Sequence, residues 1–150
     1  MYLWGPDVRD SCHRPHAFLK WSSGLNDGDG ELFWSVLTEI WPSFDLVPHE
    51  RFSRELQRFR SSAPGHKTDV KIYRGQNSPY ELGLSWTLDK RVAVDFAQGH
   101  RGKIYEDPTI CIFDAAADEI AFHTNARCEA EIVLFEIPSQ PFVDFEIAVA

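Results

Sequence analysis

The sequence is short of cysteine and has no long apolar run. Its three cysteines, Cys12, Cys111 and Cys128, are an odd number without a CxxC pair. This argues against a disulfide framework and a zinc ribbon, and it fits a reducing compartment. No run reaches the ~18 apolar residues of a membrane span, and the first residues lack the basic and apolar regions of a signal peptide. We therefore expect a cytoplasmic protein that does not enter a membrane.

Several familiar ligand-binding and hydrolase motifs are also missing. There is no GxGxxG and no GxxxxGK, so Rossmann and P-loop nucleotide binding are unsupported. No GxSxG surrounds Ser85, and the chain has no HExxH. Cys12, His13 and His16 have no partner pair at finger spacing, and the loop 22–30 does not have the ligand spacing of a calcium loop. We predict no metal site.

Acidic residues outnumber basic ones. Lys and Arg total 15 against 23 for Asp and Glu, which gives a formal net charge of −8. A duplex-binding protein needs a cationic surface to displace counterions from phosphates. The charge therefore argues against a nucleic-acid partner, whereas an acidic surface suits either a basic protein partner or solubility alone.

Length and apolar content predict one compact domain. The chain has 150 residues, of which 43% are hydrophobic, and this is enough for a single core. The hydrophobic pattern divides the domain into a mostly helical part, residues 1–66, and a strand-rich core, residues 67–150. Such a division is typical of the α+β class. We expect the domain to be a monomer.

The helical part has two clear helix patterns. Apolar residues recur on one helical face from Leu32 to Trp41, and Pro42 ends that helix. A second amphipathic pattern, with arginines on its polar side, follows Pro48. The residues around Pro15 are interpreted as an irregular surface segment, because proline breaks regular structure.

The strand-rich part contains four strand patterns and one short helix. On the first strand, Val70, Ile72 and Arg74 share a face, so the buried side ends in an arginine that needs a partner or an anion. A short helix pattern follows Thr87 and Asp89, either of which is a suitable N-cap. The predicted strands are 70–75, 110–113, 131–137 and 142–149.

Three features of this second part are candidates for ligand binding or catalysis. Arg74 lies at the inward end of a strand, Ser85 and Thr87 are two residues apart just before a helix, and Glu129 and Glu131 are expected on one side of an apolar strand. Each has an ordinary structural explanation when taken alone. Arg74 suits a strand-end salt bridge, Ser85 a turn, and Glu131 a solvated strand edge. Together they suit a cleft that binds an anion and stabilises developing positive charge.

The same segments resemble the cholera-toxin-like class of ADP-ribosyltransferases. Ile72-Tyr73-Arg74-Gly75 is similar to the family's arginine motif, and Ser85-Trp86-Thr87 to its Ser-x-Ser/Thr motif. Glu129-Ala130-Glu131 is similar to the Glu-x-Glu motif, in the same order along the chain. The resemblance extends from about residue 67 to residue 137. It implies two small packed β-sheets around a cleft for NAD⁺, with helices supplied mainly by the N-terminal half.

The resemblance also implies a role for each matching residue. Arg74 would hold the NAD⁺ phosphates and ribose, since a guanidinium offers a forked set of donors. The backbone of Gly75 would approach the nicotinamide carboxamide. Ser85 would orient the catalytic Glu131, and Thr87 would stabilise the cleft wall. Two features differ from the family's pattern. Trp86 is a bulky residue between the two hydroxyl residues of the second motif. The family's aromatic residue that stacks on nicotinamide has one candidate in this sequence, Tyr105.

The implied activity is transfer of ADP-ribose from NAD⁺ to a protein side chain. Glu131 would interact more strongly with the ribose 2′-hydroxyl as the oxocarbenium-like charge develops. Glu129 would engage the acceptor, which in this form of the motif is arginine. Families of this kind include bacterial toxins and phage effectors. Two alternatives stay open: an NAD glycohydrolase that uses water as acceptor, and an inactive domain that binds a nucleotide or a protein in the same cleft.

Overall fold

The computed structural model describes residues 13–44, 46–76, 82–99, 107–139 and 141–144. The chain divides into two compact units, Met1–Pro64 and Gly65–Ala150. This boundary lies within two residues of the predicted division between a helical and a strand-rich part. That the two units together form one domain stays a prediction. None of the helices in the described ranges has both the length and the apolar composition needed to cross a bilayer.

The first unit is helical and has an aromatic core. Helix α1 spans Arg14–Ser23, α2 spans Gly30–Ile40 and α3 spans His49–Arg58. Single 3₁₀ turns follow α2 and α3. The rings of Phe18, Phe33 and Phe52 are fully buried, and Phe18 contacts both of the others at centroid distances of 5.5 and 5.7 Å. Contacts of this kind add to the burial of large apolar surfaces.

Two sequence predictions for this unit were wrong in detail. Pro15 does not break the chain but lies in the first turn of α1, where its missing N–H has no helical partner to lose. Leu32, predicted on the buried face of α2, is 47% exposed. The neighbouring Trp34 is buried instead, because its indole N–H donates a 2.8 Å hydrogen bond to the Phe59 carbonyl. A polar tip that finds a partner allows a tryptophan to be buried.

The second unit is built on one antiparallel sheet, which confirms the α+β class. The strands are β1 (Val70–Gln76), β2 (Ser85–Thr87), β3 (Thr109–Ala115), β4 (Ile120–Thr124), β5 (Glu131–Leu134) and β6 (Phe142–Asp144). Their order across the sheet is β4-β5-β2-β1-β3-β6. The apolar run Ile110–Phe113 lies in β3, between β1 and β6, as an interior strand. Strands β2 and β4 were not predicted.

The prediction of two packed sheets differs from this structure. The described strands form a single six-stranded sheet, because β2 pairs with β5 on one side and with β1 on the other. Among the described residues, β1 and β2 are joined by the single pair Tyr73–Thr87, whereas β1 and β3 pair along their whole length. The two three-stranded halves are therefore connected edge to edge through a narrow joint.

Helix α4 (Lys90–Ala97) packs on one face of this sheet. Its buried Ala93 and Ala97 contact Ile110, with Tyr73 alongside. The other face of the sheet carries a separate apolar cluster that includes Ile72 and Trp86. Asp89 caps α4 by accepting a 2.9 Å hydrogen bond from the Arg91 N–H, which confirms one of the two predicted caps.

Candidate active site

The central contact of the candidate site joins Ser85 to Glu131. Strands β2 and β5 pair with Thr87 opposite Glu131 and Ser85 opposite Val133, so these side chains share one face of the sheet. The Ser85 hydroxyl donates a hydrogen bond to Oε2 of Glu131. The Glu131 residue is only 4% exposed. A buried carboxylate needs such a donor, and the bond fixes the direction of its second oxygen.

Arg74 reaches the same place from β1. Its Nη1 donates a 2.8 Å hydrogen bond to the Ser85 carbonyl, and its Nε donates one of 2.8 Å to Oε1 of Gln76. The described pairing of β1 with β2 ends at Tyr73–Thr87, so the Arg74 side chain bridges the two strands where they no longer pair. Ser85 therefore connects the predicted cation to the predicted acid through its carbonyl and its hydroxyl.

Gln76 is a site residue that the sequence analysis missed. It is 4% exposed, and its Nε2 has no hydrogen-bond partner, although its Oε1 accepts from Arg74. Buried polar atoms are nearly always satisfied, so this orphaned amide nitrogen beside a guanidinium is an available donor at the site. The signal was present in the sequence, since alternation places Gln76 on the same face of β1 as Arg74.

Thr87 joins the strand β2 to the segment that carries Glu129. Its hydroxyl donates a 2.5 Å hydrogen bond to the Glu129 carbonyl and accepts one of 3.0 Å from the Asp89 N–H. The Leu88 N–H donates a 3.0 Å bond to the Ala130 carbonyl. These bonds hold the backbone before Glu131 in place, and the role of Thr87 in a cofactor cleft stays a prediction.

Glu129 is brought near Glu131 in a different way from the one predicted. Alternation along one strand was expected to put both carboxylates on one side, but β5 begins only at Glu131 and Ala130 has a φ of 45°. A left-handed residue between the two glutamates interrupts the alternation of a strand. The carboxylates instead share a third residue, Arg127, which forms an ion pair with each of them.

Arg127 is the second residue that the sequence analysis missed. Its Nη2 lies 3.4 Å from Oε1 of Glu131, and its Nε lies 3.8 Å from Oε2 of Glu129. Its side chain is 25% exposed, compared with 16% for Glu129 and 6% for Glu131. No periodic pattern indicates this contact, because Arg127 lies in a turn and a turn reverses the chain without a repeat.

The turn that carries Arg127 is built around Asn125. The Asn125 carbonyl accepts a 3.0 Å hydrogen bond from the Cys128 N–H, and its side-chain oxygen accepts one of 2.9 Å from the Ala130 N–H. Cys128 and Ala130 both have positive φ values, 57° and 45°. Residues other than glycine rarely adopt this conformation, so these hydrogen bonds compensate a strained backbone.

Gly75 has a structural reason to be glycine. A Cβ at this position would lie 1.8 Å from the Ala93 carbonyl oxygen and 2.7 Å from the Ala97 nitrogen, both in the backbone of α4. Close packing of the helix on the sheet therefore excludes a side chain there. The predicted approach of this backbone to nicotinamide stays a prediction, and Tyr105, the candidate stacking aromatic, lies outside the described residues.

Among the described cysteines and histidines, Cys111 and His123 do not add a nucleophile to this site. Cys111 is buried opposite Arg74 in the β1–β3 ladder. Burial raises the pKa of its thiol, and the charge of Arg74 lowers it in part. The net upward shift keeps the thiol protonated and weakly nucleophilic. His123 is exposed, and the described residues contain no group of three His, Cys, Asp or Glu side chains placed to hold a metal.

The candidate site thus combines an anion-binding side with an acidic side. Arg74 and the free amide nitrogen of Gln76 suit an anionic or hydrogen-bond-accepting ligand, whereas the carboxylates of Glu129 and Glu131 suit a cationic group. Ser85 connects the two sides. Searches of protein-family models, of curated proteins and of solved structures find no match to this chain.

Proposed function

We propose that the protein is a mono-ADP-ribosyltransferase that transfers ADP-ribose from NAD⁺ to a protein side chain, with arginine as acceptor. The observation that carries this proposal is the chain of contacts from Arg74 through Ser85 to Glu131. These three residues come from three strands, and they are the residues in which the sequence resembles the cholera-toxin-like class. The rest of the ADP-ribosyltransferase fold, including its NAD⁺ cleft, belongs to the same proposal.

In this reaction Glu131 acts as the catalytic residue. Departure of nicotinamide leaves positive charge on the ribose, and a carboxylate bonded to the 2′-hydroxyl stabilises that charge more than it stabilises the ground state. The geometry supports this role, because Ser85 holds Oε2 of Glu131 and leaves Oε1 on the side of the charged groups. A fixed carboxylate needs little reorganisation when the charge develops.

Arg74 and Gln76 bind the phosphate and ribose oxygens of the cofactor. A guanidinium is suited to phosphate and ribose oxygens because of its forked donors, and Arg74 is held in position by Gln76 and by the Ser85 carbonyl. The orphaned Nε2 of Gln76 gives the cofactor one further donor. Nicotinamide leaves with the electrons of its glycosidic bond and needs no metal ion in this scheme.

Glu129 acts on the acceptor. A protonated guanidinium is a poor nucleophile, so a carboxylate that receives its proton promotes attack on the ribose. Glu129 lies beside Glu131 with a guanidinium between them already, which shows that the pair accommodates this group. We place the reaction in the cytoplasm, as that of a toxin-like or phage-like effector. The acceptor in this proposal is a basic protein, because the chain carries a net charge of −8.

The test is incubation of the purified protein with labelled NAD⁺ and a cell extract. We expect label on a protein band and release of nicotinamide. Glu131→Gln should abolish both, because the amide has no charge to stabilise the ribose cation, while circular dichroism shows an intact fold. Glu136→Gln is the matched control: Glu136 follows the same strand and is exposed, and its variant should behave as wild type.

The outcomes separate the alternatives. Free ADP-ribose without a labelled band would identify an NAD glycohydrolase, and NAD⁺ binding without turnover would identify an inactive binding domain. Wild-type turnover by Glu131→Gln would refute the role of Glu131, and equal loss of activity in Glu136→Gln would point to a general effect of charge on the fold.

A further inference from the structure

The acidic side of the candidate site already contains a guanidinium. Arg127 lies between Oε1 of Glu131 and Oε2 of Glu129, at 3.4 and 3.8 Å. Both carboxylates are more buried than Arg127 itself. Two nearby carboxylates repel each other, and a cation between them offsets this repulsion. Arg127 is the residue that supplies this cation in the described part of the chain.

The contact of Arg127 is a loose one. An arginine that serves only as a structural salt bridge usually makes two parallel hydrogen bonds to one carboxylate, at 2.7–2.9 Å. Arg127 makes one contact of 3.4 Å with Glu131, and its buried Nε, 3.8 Å from Glu129, has no hydrogen-bond partner. The guanidinium therefore satisfies few of its donors in this position, and an incoming guanidinium that pairs with both carboxylates can replace it without leaving their charges uncompensated.

The position of Arg127 conflicts with the proposed reaction. Glu131 has two oxygens, of which Ser85 takes Oε2, so Oε1 is the one that remains for the ribose hydroxyl. This is the oxygen that Arg127 contacts. An acceptor guanidinium would also have to reach Glu129, and Arg127 lies there too. Two guanidinium groups cannot occupy this space together without strong repulsion.

We infer that Arg127 occupies the acceptor position of the site, so that an external guanidinium must displace it. This inference rests on the proposed function and deepens it. Arg127 is then a specificity-determining residue: a small guanidinium compound displaces it only at a higher concentration, whereas an arginine presented on a complementary protein surface gains further contacts and displaces it more readily. The hydrogen bonds of Asn125 hold the turn beneath Arg127 and keep the side chain available for return.

The experiment measures NAD⁺ consumption at increasing concentrations of agmatine, a small guanidinium compound. Wild type is compared with Arg127→Met, which keeps an unbranched apolar stem but removes the guanidinium, and with Arg127→Lys, which keeps the charge but removes the fork. Arg91→Met is the matched control, since the Arg91 side chain is 92% exposed and pairs with Asp89. Unfolding midpoints and circular dichroism establish that each variant is folded.

We expect KM for agmatine to fall about fivefold in Arg127→Met, the size of effect that a weak ion pair produces. Arg127→Lys should give an intermediate KM for agmatine, and Arg91→Met should match wild type. An unchanged or higher KM for agmatine in Arg127→Met would overturn the inference. A fall in kcat alone would also overturn it, because that result would make Arg127 a positioning residue for Glu131.

ADP-ribosylation of agmatine distinguishes the two proposals. If wild type transfers ADP-ribose to agmatine while Arg127→Met leaves KM for agmatine unchanged, the inference fails and the proposed function stands. If neither wild type nor any variant consumes NAD⁺, with or without agmatine or cell extract, the proposed function fails and the inference fails with it.

Discussion

Arg74 depends on Gln76 for its position in the candidate site. Gln76 accepts a 2.8 Å hydrogen bond from Arg74 and is itself 4% exposed, so a change at Gln76 acts directly on the anion-binding side. Gln76→Leu removes both the acceptor and the orphaned donor while filling a similar volume. We expect its dissociation constant for NAD⁺ to rise about tenfold, the loss typical of a hydrogen bond to a charged group.

Isothermal titration calorimetry measures this change. Gln98→Leu is the matched control, because Gln98 is exposed at the end of α4 and should leave the dissociation constant as it is. Equal NAD⁺ affinities of Gln76→Leu and wild type would show that Gln76 neither binds the cofactor nor positions Arg74.

The sequence predicted some of the site residues and not others, for a physical reason. Arg74, Ser85 and Glu131 lie in or at the end of strands, where residue type and alternation define the environment. Gln76 could have been found in the same way. Arg127 could not, because its contact with Glu131 depends on two left-handed residues in the turn, and neither of them is a glycine that would mark the reversal.

At the scale of elements, α4 depends on its N-cap for part of its stability. The hydrogen bond from the Arg91 N–H is the largest cause of a lowered pKa for Asp89. A carboxylate with a lower pKa in the folded state stabilises the fold above its unfolded pKa of about 3.9. That stabilisation is lost as pH falls through the folded value. Asp89→Asn keeps an oxygen acceptor but has no charge to titrate.

We therefore expect the stability difference between wild type and Asp89→Asn to favour wild type near neutral pH and to shrink between about pH 5 and pH 2. Thermal unfolding followed by circular dichroism at several pH values measures it. A difference that stays constant with pH would show that the charge of Asp89 does not contribute to the cap.

The turn before β5 gives a prediction for a second element. Ala130 has a φ of 45°, a conformation that costs a residue with a Cβ about 1–2 kcal/mol and a β-branched residue more. Ala130→Val should therefore lower the free energy of unfolding by the additional cost of the β-branch, on the order of 1 kcal/mol, and displace Glu129. Ala126→Val is the matched control, since Ala126 is exposed in the same turn and does not have a positive φ.

Denaturant unfolding of both variants measures this difference. Equal stability of Ala130→Val and Ala126→Val would mean that the turn relaxes to an unstrained conformation in solution. In that case the placement of Glu129 and Arg127 would no longer follow from the backbone between them.

Elements with a strong hydrophobic period were the predictable part of the fold. The α2 and α3 patterns and the strands around Ile72, Ile110 and Ile132 were found at nearly their observed positions. Helix α1 was missed because Pro15 was read as a break rather than as a first-turn residue. The connection of the strands into one sheet could not be read from the sequence, because a single residue pair decides it.

At the scale of the whole molecule, every residue of the candidate site lies in the second unit, Gly65–Ala150. This leads to a prediction for the isolated fragment of residues 65–150. We expect it to bind NAD⁺ with the affinity of the full chain, since Arg74, Gln76 and Glu131 keep all the contacts described for them. Titration calorimetry on the two proteins measures this.

Loss of NAD⁺ binding by a fragment that is folded, as judged by circular dichroism, would show that the helical unit contributes to the cofactor site. Loss of folding would instead show that the strand-rich unit does not fold without the helical unit. The same titration would then be repeated on the 150-residue chain with substitutions in Met1–Pro64.

The narrow joint in the sheet has a mechanical consequence. In the described residues one rung, Tyr73–Thr87, connects the half with β1, β3 and β6 to the half with β2, β4 and β5. The Arg74–Ser85 hydrogen bond crosses the same line, and helix α4 contacts strands on both sides of it. Arg74 stands on one side of the line and Glu131 on the other. The distance between the cation and the acid is therefore set by one ladder pair, one side-chain hydrogen bond and the packing of a single helix.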